Sequence, residues 1–244
     1  MENPIVFQGS EKARRIQAMF AGIAPTYDQL NHWLSLSIDK RWRRAAVREV
    51  ADALTRPDAK ALDVCCGTAD LALELGRLAP TVGVDFCQPM LARGMEKVRR
   101  SGRPVRLLAG DALALPFADA SFDVVTVAFG IRNVVDLDGA LSEMRRTLKP
   151  GGKVVILEFS HPVVPGLKQL FGFYFARILP RIGNAVSRSG YAYSYLPASV
   201  QHFPDQATLA AQMEKAGFRD VTWRNLSGGI AALHTGARAA LSDV

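Results

Sequence analysis

Only three cysteines occur among the 244 residues, Cys65, Cys66 and Cys87, none in a C-x-x-C pair, and only four histidines, widely scattered. That scarcity excludes a disulfide framework and the usual zinc-ligand spacing, so no metal is expected. No run of 18 residues is free of charge, so no segment is expected to span a membrane. Met1 to Ser10 lack a basic stretch followed by an apolar one, which leaves no visible secretory leader and points to the cytoplasm. Internal repeats and low-complexity tracts are missing too, setting aside solenoids and long linkers.

What is present is ordinary globular composition, 49% hydrophobic and 22% charged, which argues against disorder. The net charge of +7 suits an anionic partner, nucleic acid or a membrane surface, without choosing between them. Helical patterns are expected over 11–20, 28–36 and 39–54, the last capped by Asp39 and opening on the basic cluster Lys40-Arg-Trp-Arg-Arg44. From residue 60, short apolar runs at 61–65, 81–85, 105–109, 122–128 and 153–159 alternate with helical stretches at 71–78, 89–100 and 137–148. Lys149-Pro-Gly-Gly152 reads as a helix stop and turn. An aromatic-rich stretch follows at 167–179, then a polar loop at 187–195 and a helix at 204–216 with Gly217 as its stop. Runs at 218–226 and 230–237, joined by Ser227-Gly-Gly229, read as a terminal hairpin.

This order predicts an α/β, Rossmann-like fold: a mostly parallel seven-stranded sheet with an antiparallel edge strand, helices on both faces and an N-terminal helical lid. The expected division is a lid and substrate region over 1–58 and a core over 59–244. A helical insertion falls near 163–200, and the whole forms one integrated domain.

The functional stretch is Ala61-Leu-Asp-Val-Cys-Cys-Gly-Thr-Ala-Asp70, a buried strand running through a tight turn into a helix. Asp85 closes the second strand and Asp111, with Ala112, the third. In an open parallel sheet such strand ends line the ligand crevice. Gly67 permits close approach of a ligand, Asp85 can take both hydroxyls of a ribose, and Asp111 the exocyclic amine of an adenine. A dinucleotide needs G-x-G-x-x-G for its pyrophosphate, and this turn has a single glycine. S-adenosyl-L-methionine (SAM) carries no phosphate and is the expected cofactor.

The Leu62–Asp70 stretch resembles the first SAM motif of class I methyltransferases, with Cys65 and Ala69 where glycine is frequent. Farther along, Phe20-Ala-Gly-Ile-Ala-Pro-Thr-Tyr-Asp28, Phe129-Gly-Ile-Arg-Asn133, Leu148-Lys-Pro-Gly-Gly152 and Leu157-Glu-Phe-Ser160 resemble the menaquinone and ubiquinone biosynthesis C-methyltransferases. Similar short matches continue to Gly236, so the resemblance runs in the family's order from about Phe20 onward. It implies methylation of a ring carbon of a polyprenylated quinol, demethylmenaquinol before a benzoquinol of ubiquinone biosynthesis. It also implies SAM contacts from the Asp63 motif, Gly67, Thr68, Asp85, Asp111 and Ala112. Arg132 and Asn133 are the expected catalytic pair, Arg132 as a cation beside a forming phenolate. Ala128 stands where the family often has a polar residue. Tyr27 and Asp28 are expected in the lid. His161, His202 and His234 are candidate proton acceptors for which a structural role is the alternative.

A lipid-tailed substrate implies a peripheral site at the inner face of the cytoplasmic membrane. Lys40, Arg41, Arg43 and Arg44, with the aromatic stretch from residue 167, are the expected contacts. A homo-oligomer is compatible with the sequence. No nucleic-acid partner is expected, because the (Asp/Asn)-Pro-Pro-(Tyr/Phe) run of amino-methylating nucleic-acid enzymes is replaced by Phe129–Asn133. A SAM-binding scaffold without catalysis is the reading from another class.

Overall fold

A computed structural model of the chain describes residues 9–35, 37–174, 177 and 192–240. Seven strands form one sheet in the order β3-β2-β1-β4-β5-β7-β6. They are β1 (Ala61–Val64), β2 (Thr81–Asp85), β3 (Val105–Ala109), β4 (Phe122–Ala128), β5 (Leu148–Phe159), β6 (Phe218–Leu226) and β7 (Ala231–Arg238). β1 to β5 run parallel, and β7 runs against both β5 and β6. The expected mixed sheet with its antiparallel part at one edge is therefore present, and the order reverses at β1 and β4, where a crevice must open.

Side chains alternate through the sheet, as a strand period of two requires. Leu62, Val64, Val125, Val127, Val154 and Ile156 form one core with Leu141 and Met144 of α6 (Leu137–Thr147). Ala61, Val124, Val155 and Leu157 form the other with Ala46, Val50 and Leu54 of α3 (Ile38–Leu54) and with Leu71 and Leu75 of α4 (Asp70–Leu75). Buried on both faces, these strands read as continuous apolar runs. α5 (Gln88–Ser101) begins with proline in its first turn and ends at Gly102 with φ +64, the favoured punctuation for a crossover helix.

A third apolar cluster stands over the strand ends. It joins Ile16, Met19 and Ile23 of α1 (Gly9–Ile23) with Tyr195 and Val200 of α8 (Ala192–His202). Phe20, Tyr27 and Phe171 pack against it, from α1, α2 (Tyr27–Leu34) and α7 (Leu167–Phe173). Gln17 Nε2 donates to the Phe86 carbonyl at 2.7 Å and Lys12 Nζ to the Val134 carbonyl at 2.5 Å, tying α1 to loops beyond β2 and β4.

Several local expectations are corrected. Ser37, with φ +59, occupies the cap position of α3, whereas Asp39 lies inside the helix, accepting from Ser35 Oγ at 2.7 Å and paired with Arg43. Lys149-Pro-Gly-Gly152 belongs to β5 rather than to a free turn. The reason is Asp123, whose buried carboxylate takes Lys149 Nζ at 2.9 Å and the Lys60 N–H at 2.9 Å and draws the segment alongside β4. The expected polar loop at 187–195 gives way from residue 192 to α8, which keeps Pro197 inside it, and residues 187–191 lie outside the described residues. The expected helix at 204–216 is α9 (Gln206–Lys215), capped by Asp205 accepting from the Thr208 N–H at 2.9 Å. α7 covers the first part of the 167–179 stretch, of which 175, 176, 178 and 179 lie outside the described residues.

Candidate active site

β1 leaves the sheet through a turn in which Cys65, Gly67 and Ala69 all have positive φ, +54, +54 and +68. Glycine enters that region freely, whereas a Cβ costs roughly 1–2 kcal/mol there. This is the physical reason glycine suits positions 65 and 69, and the chain spends strain at both. The turn is fixed by the neighbouring strand end. Asp85 Oδ2 accepts the Gly67 N–H and Oδ1 the Cys87 N–H, each at 2.8 Å. Burial pushes the Asp85 carboxyl up, and the N–H groups of Cys87 and Gly67 pull against it. The turn after β4 closes on the same place: a Cβ on Gly130 would come within 2.4 Å of Cys65 Cβ.

Together these turns border a cleft that is open to solvent. Asp63, Gly67, Thr68, Asp85, Asp111 and Ala112 all line it, and so do Tyr27 and Asn133. Phe20, Phe86 and Phe129 add apolar surface. Asp111 is exposed, its Oδ1 accepting the Leu113 N–H at 3.0 Å. Asp63 is 1% exposed: Oδ1 accepts from the Thr126 hydroxyl at 3.0 Å, and Oδ2 has no hydrogen-bond partner. Burial pushes this carboxyl up to about 7, against the pull of Thr126, the Ala72 N–H and the Arg43 charge. An orphaned buried carboxylate oxygen on a ligand cleft is a site for a cationic group.

Asp28 does not line the cleft but bolts the N-terminal helices to it. Its Oδ1 accepts from the Thr68 hydroxyl at 2.6 Å and its Oδ2 from Lys97 Nζ at 2.9 Å. Lys97 also reaches Thr68 Oγ1 at 3.2 Å and pairs with Asp70. Asp70 lies 3.5 Å from Arg43, which in turn holds Asp39 at 2.5 Å. Arg43 lines the cleft and its side chain is only 12% exposed, so it is withdrawn from the basic cluster expected at a membrane; Lys40, Arg41 and Arg44 remain exposed.

The Arg132–Asn133 pair is split by the structure. Asn133 is 9% exposed and lines the cleft. The Arg132 side chain is absent from that lining and lies behind the turn. It is paired with Glu158 at 2.7 Å and donates to the Phe129 carbonyl at 2.6 Å, its guanidinium 5.4 Å from the Phe159 ring. With its charge met by a carboxylate that is itself buried, Arg132 is not placed as the expected cation beside a phenolate. Burial pushes the Glu158 carboxyl up and Arg132 opposes it, consistent with a tight internal pair. None of the three candidate histidines lines the cleft. His234 is buried on β7 with Nε2 on the Gln206 carbonyl at 2.9 Å, and His202 Nδ1 lies 2.8 Å from the Ala198 carbonyl, contacts of a structural kind.

Lys97, Glu158 and Tyr195 had no expected role at the site. Two had a signal. Lys97 follows Met90 and Gly94 along the face of α5 that is buried against the first turn. Glu158 interrupts the apolar run Val154–Phe159 of β5, beside the strand whose following turn carries Arg132, so the two charges were natural partners.

A profile of the ubiE/COQ5 methyltransferase family matches residues 8–238. A ubiquinone/menaquinone biosynthesis C-methyltransferase UbiE from Geobacter sp. strain M21 is 48% identical over 236 residues, spanning 94% of this chain and 98% of that protein. A demethylmenaquinone methyltransferase from Deinococcus radiodurans is 46% identical over 236 residues, spanning 96% of each. The solved structure of a SAM-dependent methyltransferase from Thermotoga maritima is similar at a TM-score of 0.59 and 20% identity, over 89% of this chain and 98% of that one, a likeness of fold alone.

Two outcomes follow from the cleft itself. Gly130→Ala should destabilise the protein by about 1–3 kcal/mol through overpacking, and Cys65→Gly should recover most of that loss in chemical denaturation. Additive effects of the two changes would contradict the interlock. For Asp63, the folded state keeps a proton that the unfolded chain releases near its ordinary 3.8, so this group's contribution falls as pH rises toward about 7. Asp63→Asn should therefore gain stability over the parent across that window and hold the gain above it. Melting temperatures that differ by a constant from pH 5 to 8 would contradict this.

Proposed function

The chain belongs to the ubiE/COQ5 methyltransferase family and is a SAM-dependent C-methyltransferase, and we propose that its acceptor is the ring carbon of a polyprenylated quinol, demethylmenaquinol first. The observation that carries this reading is the composition of one cleft. Acidic strand ends suited to a nucleoside and a cation share it with aromatic side chains and one neutral amide, Asn133. The residues fit SAM. Each Asp85 oxygen holds one backbone N–H and keeps a lone pair for a ribose hydroxyl. Asp111 and Ala112 are the adenine side, and the free oxygen of Asp63 answers an ammonium group.

SAM supplies an electrophilic methyl group; the protein's own residues arrange the acceptor. A ring carbon becomes nucleophilic as the neighbouring hydroxyl loses its proton, so charge grows on that oxygen. A preorganised N–H aimed at such an oxygen contributes roughly 3–4 kcal/mol to the transition state. Asn133 is the donor on the cleft wall, and Arg132, locked to Glu158, holds its turn. The N-terminal helices α1 to α3 cover the cleft, with Tyr27 on the quinol side. The Geobacter relative carries both quinones in its name, which makes the 2-methoxy-6-polyprenyl-1,4-benzoquinol the second reading.

Among the described residues no helix is long and apolar enough to cross a membrane. The tail of the substrate lies in the bilayer, so the enzyme meets it from the inner face. Leu170 and Phe173 of α7 are 66% and 58% exposed with Lys168 beside them, and with Lys40, Arg41 and Arg44 they are the contacts this reading assigns to anionic lipid.

The test incubates purified protein with methyl-labelled SAM and either reduced demethylmenaquinol or the reduced benzoquinol. Label should enter the naphthoquinol ring faster than the benzoquinol ring. Transfer to neither would sink the substrate assignment.

A further inference from the structure

We propose that Tyr195 is a positioning residue for methyl transfer, holding the Asn133 side chain so that its NH2 end, not its carbonyl, is turned to the cleft. This rests on the acceptor reading above. A side-chain amide has an accepting end and a donating end, and the two have opposite effects on an oxygen that is gaining negative charge. At this site the ends are distinguished by a partner. The Tyr195 hydroxyl donates to Asn133 Oδ1 at 3.1 Å, and the two residues are 6% and 9% exposed, so water does not compete freely for either. With Oδ1 engaged, Nδ2 is the end left for the cleft that Asn133 lines.

The geometry around the pair supports the same arrangement. Asn133 sits on a single 3-10 turn, Ile131–Asn133, which has little rigidity of its own. α8 stiffens it at two points, through Tyr195 on Asn133 and through Ser199 Oγ, which accepts from Arg132 Nε at 3.4 Å. β5 stiffens it at a third, through Glu158 on Arg132. Tyr195 therefore joins the wall of the reaction cleft to the third apolar cluster, where Val200 of the same helix packs with Ile16 and Met19 of α1. Burial pushes the Tyr195 hydroxyl up, opposed by the nearby Arg132 charge, which keeps it a donor throughout the working pH range. Its partner oxygen is thus occupied whether or not substrate is bound.

Tyr195→Phe keeps the ring in its cluster and removes only the hydroxyl, so the variant separates positioning from packing. It should lower kcat about tenfold or more, as expected when an aligned donor is lost. It should also move the acid limb of the kcat–pH profile to higher pH, because the bound quinol loses help in giving up its proton. Affinity for S-adenosylhomocysteine should stay at the parental value, while the melting temperature falls modestly because Asn133 Oδ1 loses its buried partner. In an Asn133→Ala background, Tyr195→Phe should have no further effect on kcat. A parental kcat and profile in Tyr195→Phe, an additive loss in the double variant, or a matching loss of S-adenosylhomocysteine affinity would each overturn the proposal. Failure of the parent enzyme to methylate either quinol is a separate result and would overturn the acceptor reading instead.

Discussion

The ammonium of Lys97 is the point at which the cleft is held together. It reaches Asp28 of α2, the Thr68 hydroxyl of the first turn and Asp70 at the start of α4, and Asp70 passes the connection to Arg43 and Asp39 of α3. The first strand and its turn would exist without this contact, since the sheet and Asp85 fix them. The N-terminal helices would not be registered over them. Lys97 and Asp28 are 28% and 30% exposed, so no single pair is worth much in water. The network instead acts through geometry: removing the shared cation leaves two carboxylates facing each other across the seam that closes the cleft.

Close approach makes that contact possible. Gly94 lets α5 lie against the turn, where a Cβ would fall 3.3 Å from Ala69 Cβ, and Lys97 follows three residues later on the same face. Gly130 plays the same part for the turn after β4, bringing Asn133 to the opposite wall. The strained Cys65 and Ala69 sit between these two glycines, so part of the chain's backbone strain lies on the wall of the cleft. The sheet beneath is shared with methyltransferases of unrelated substrates, and what distinguishes this chain lies in what stands on its strand ends.

Much of this was readable before any coordinates. The central runs became β1, β4 and β5 because each is buried on both faces, whereas β3 and β6 at the two edges are largely exposed and are held by pairing with β2 and β7. Asp63, Gly67, Thr68, Asp85, Asp111, Ala112 and Asn133 came together because strand ends and the turns after them converge by topology in a parallel sheet, and Tyr27 joins them from α2. The failures are of another kind. Arg132 and Asn133 are neighbours in sequence, but a 3-10 turn sends adjacent side chains in different directions, and only a buried partner, Glu158, decides which one faces inward. Asp39 was read as a cap from its residue type, yet its place was set by Arg43 one helical turn away. The Lys149 turn was taken into β5 by a charge on the neighbouring strand. At Arg132, Asp39 and Lys149 the decisive contact is an ion pair distant in sequence or closed by one helical turn, which local pattern does not reveal.

The central claim is that the Lys97 network closes the lid over the cofactor turn and thereby completes the binding cleft. Titration calorimetry of S-adenosylhomocysteine into the parent and Lys97→Met, at equal fold content by circular dichroism, tests it most directly. Binding should weaken by about tenfold or more in the variant, about 1.4 kcal/mol, because the two carboxylates left facing each other open the seam. Unchanged affinity in a folded Lys97→Met protein would contradict it.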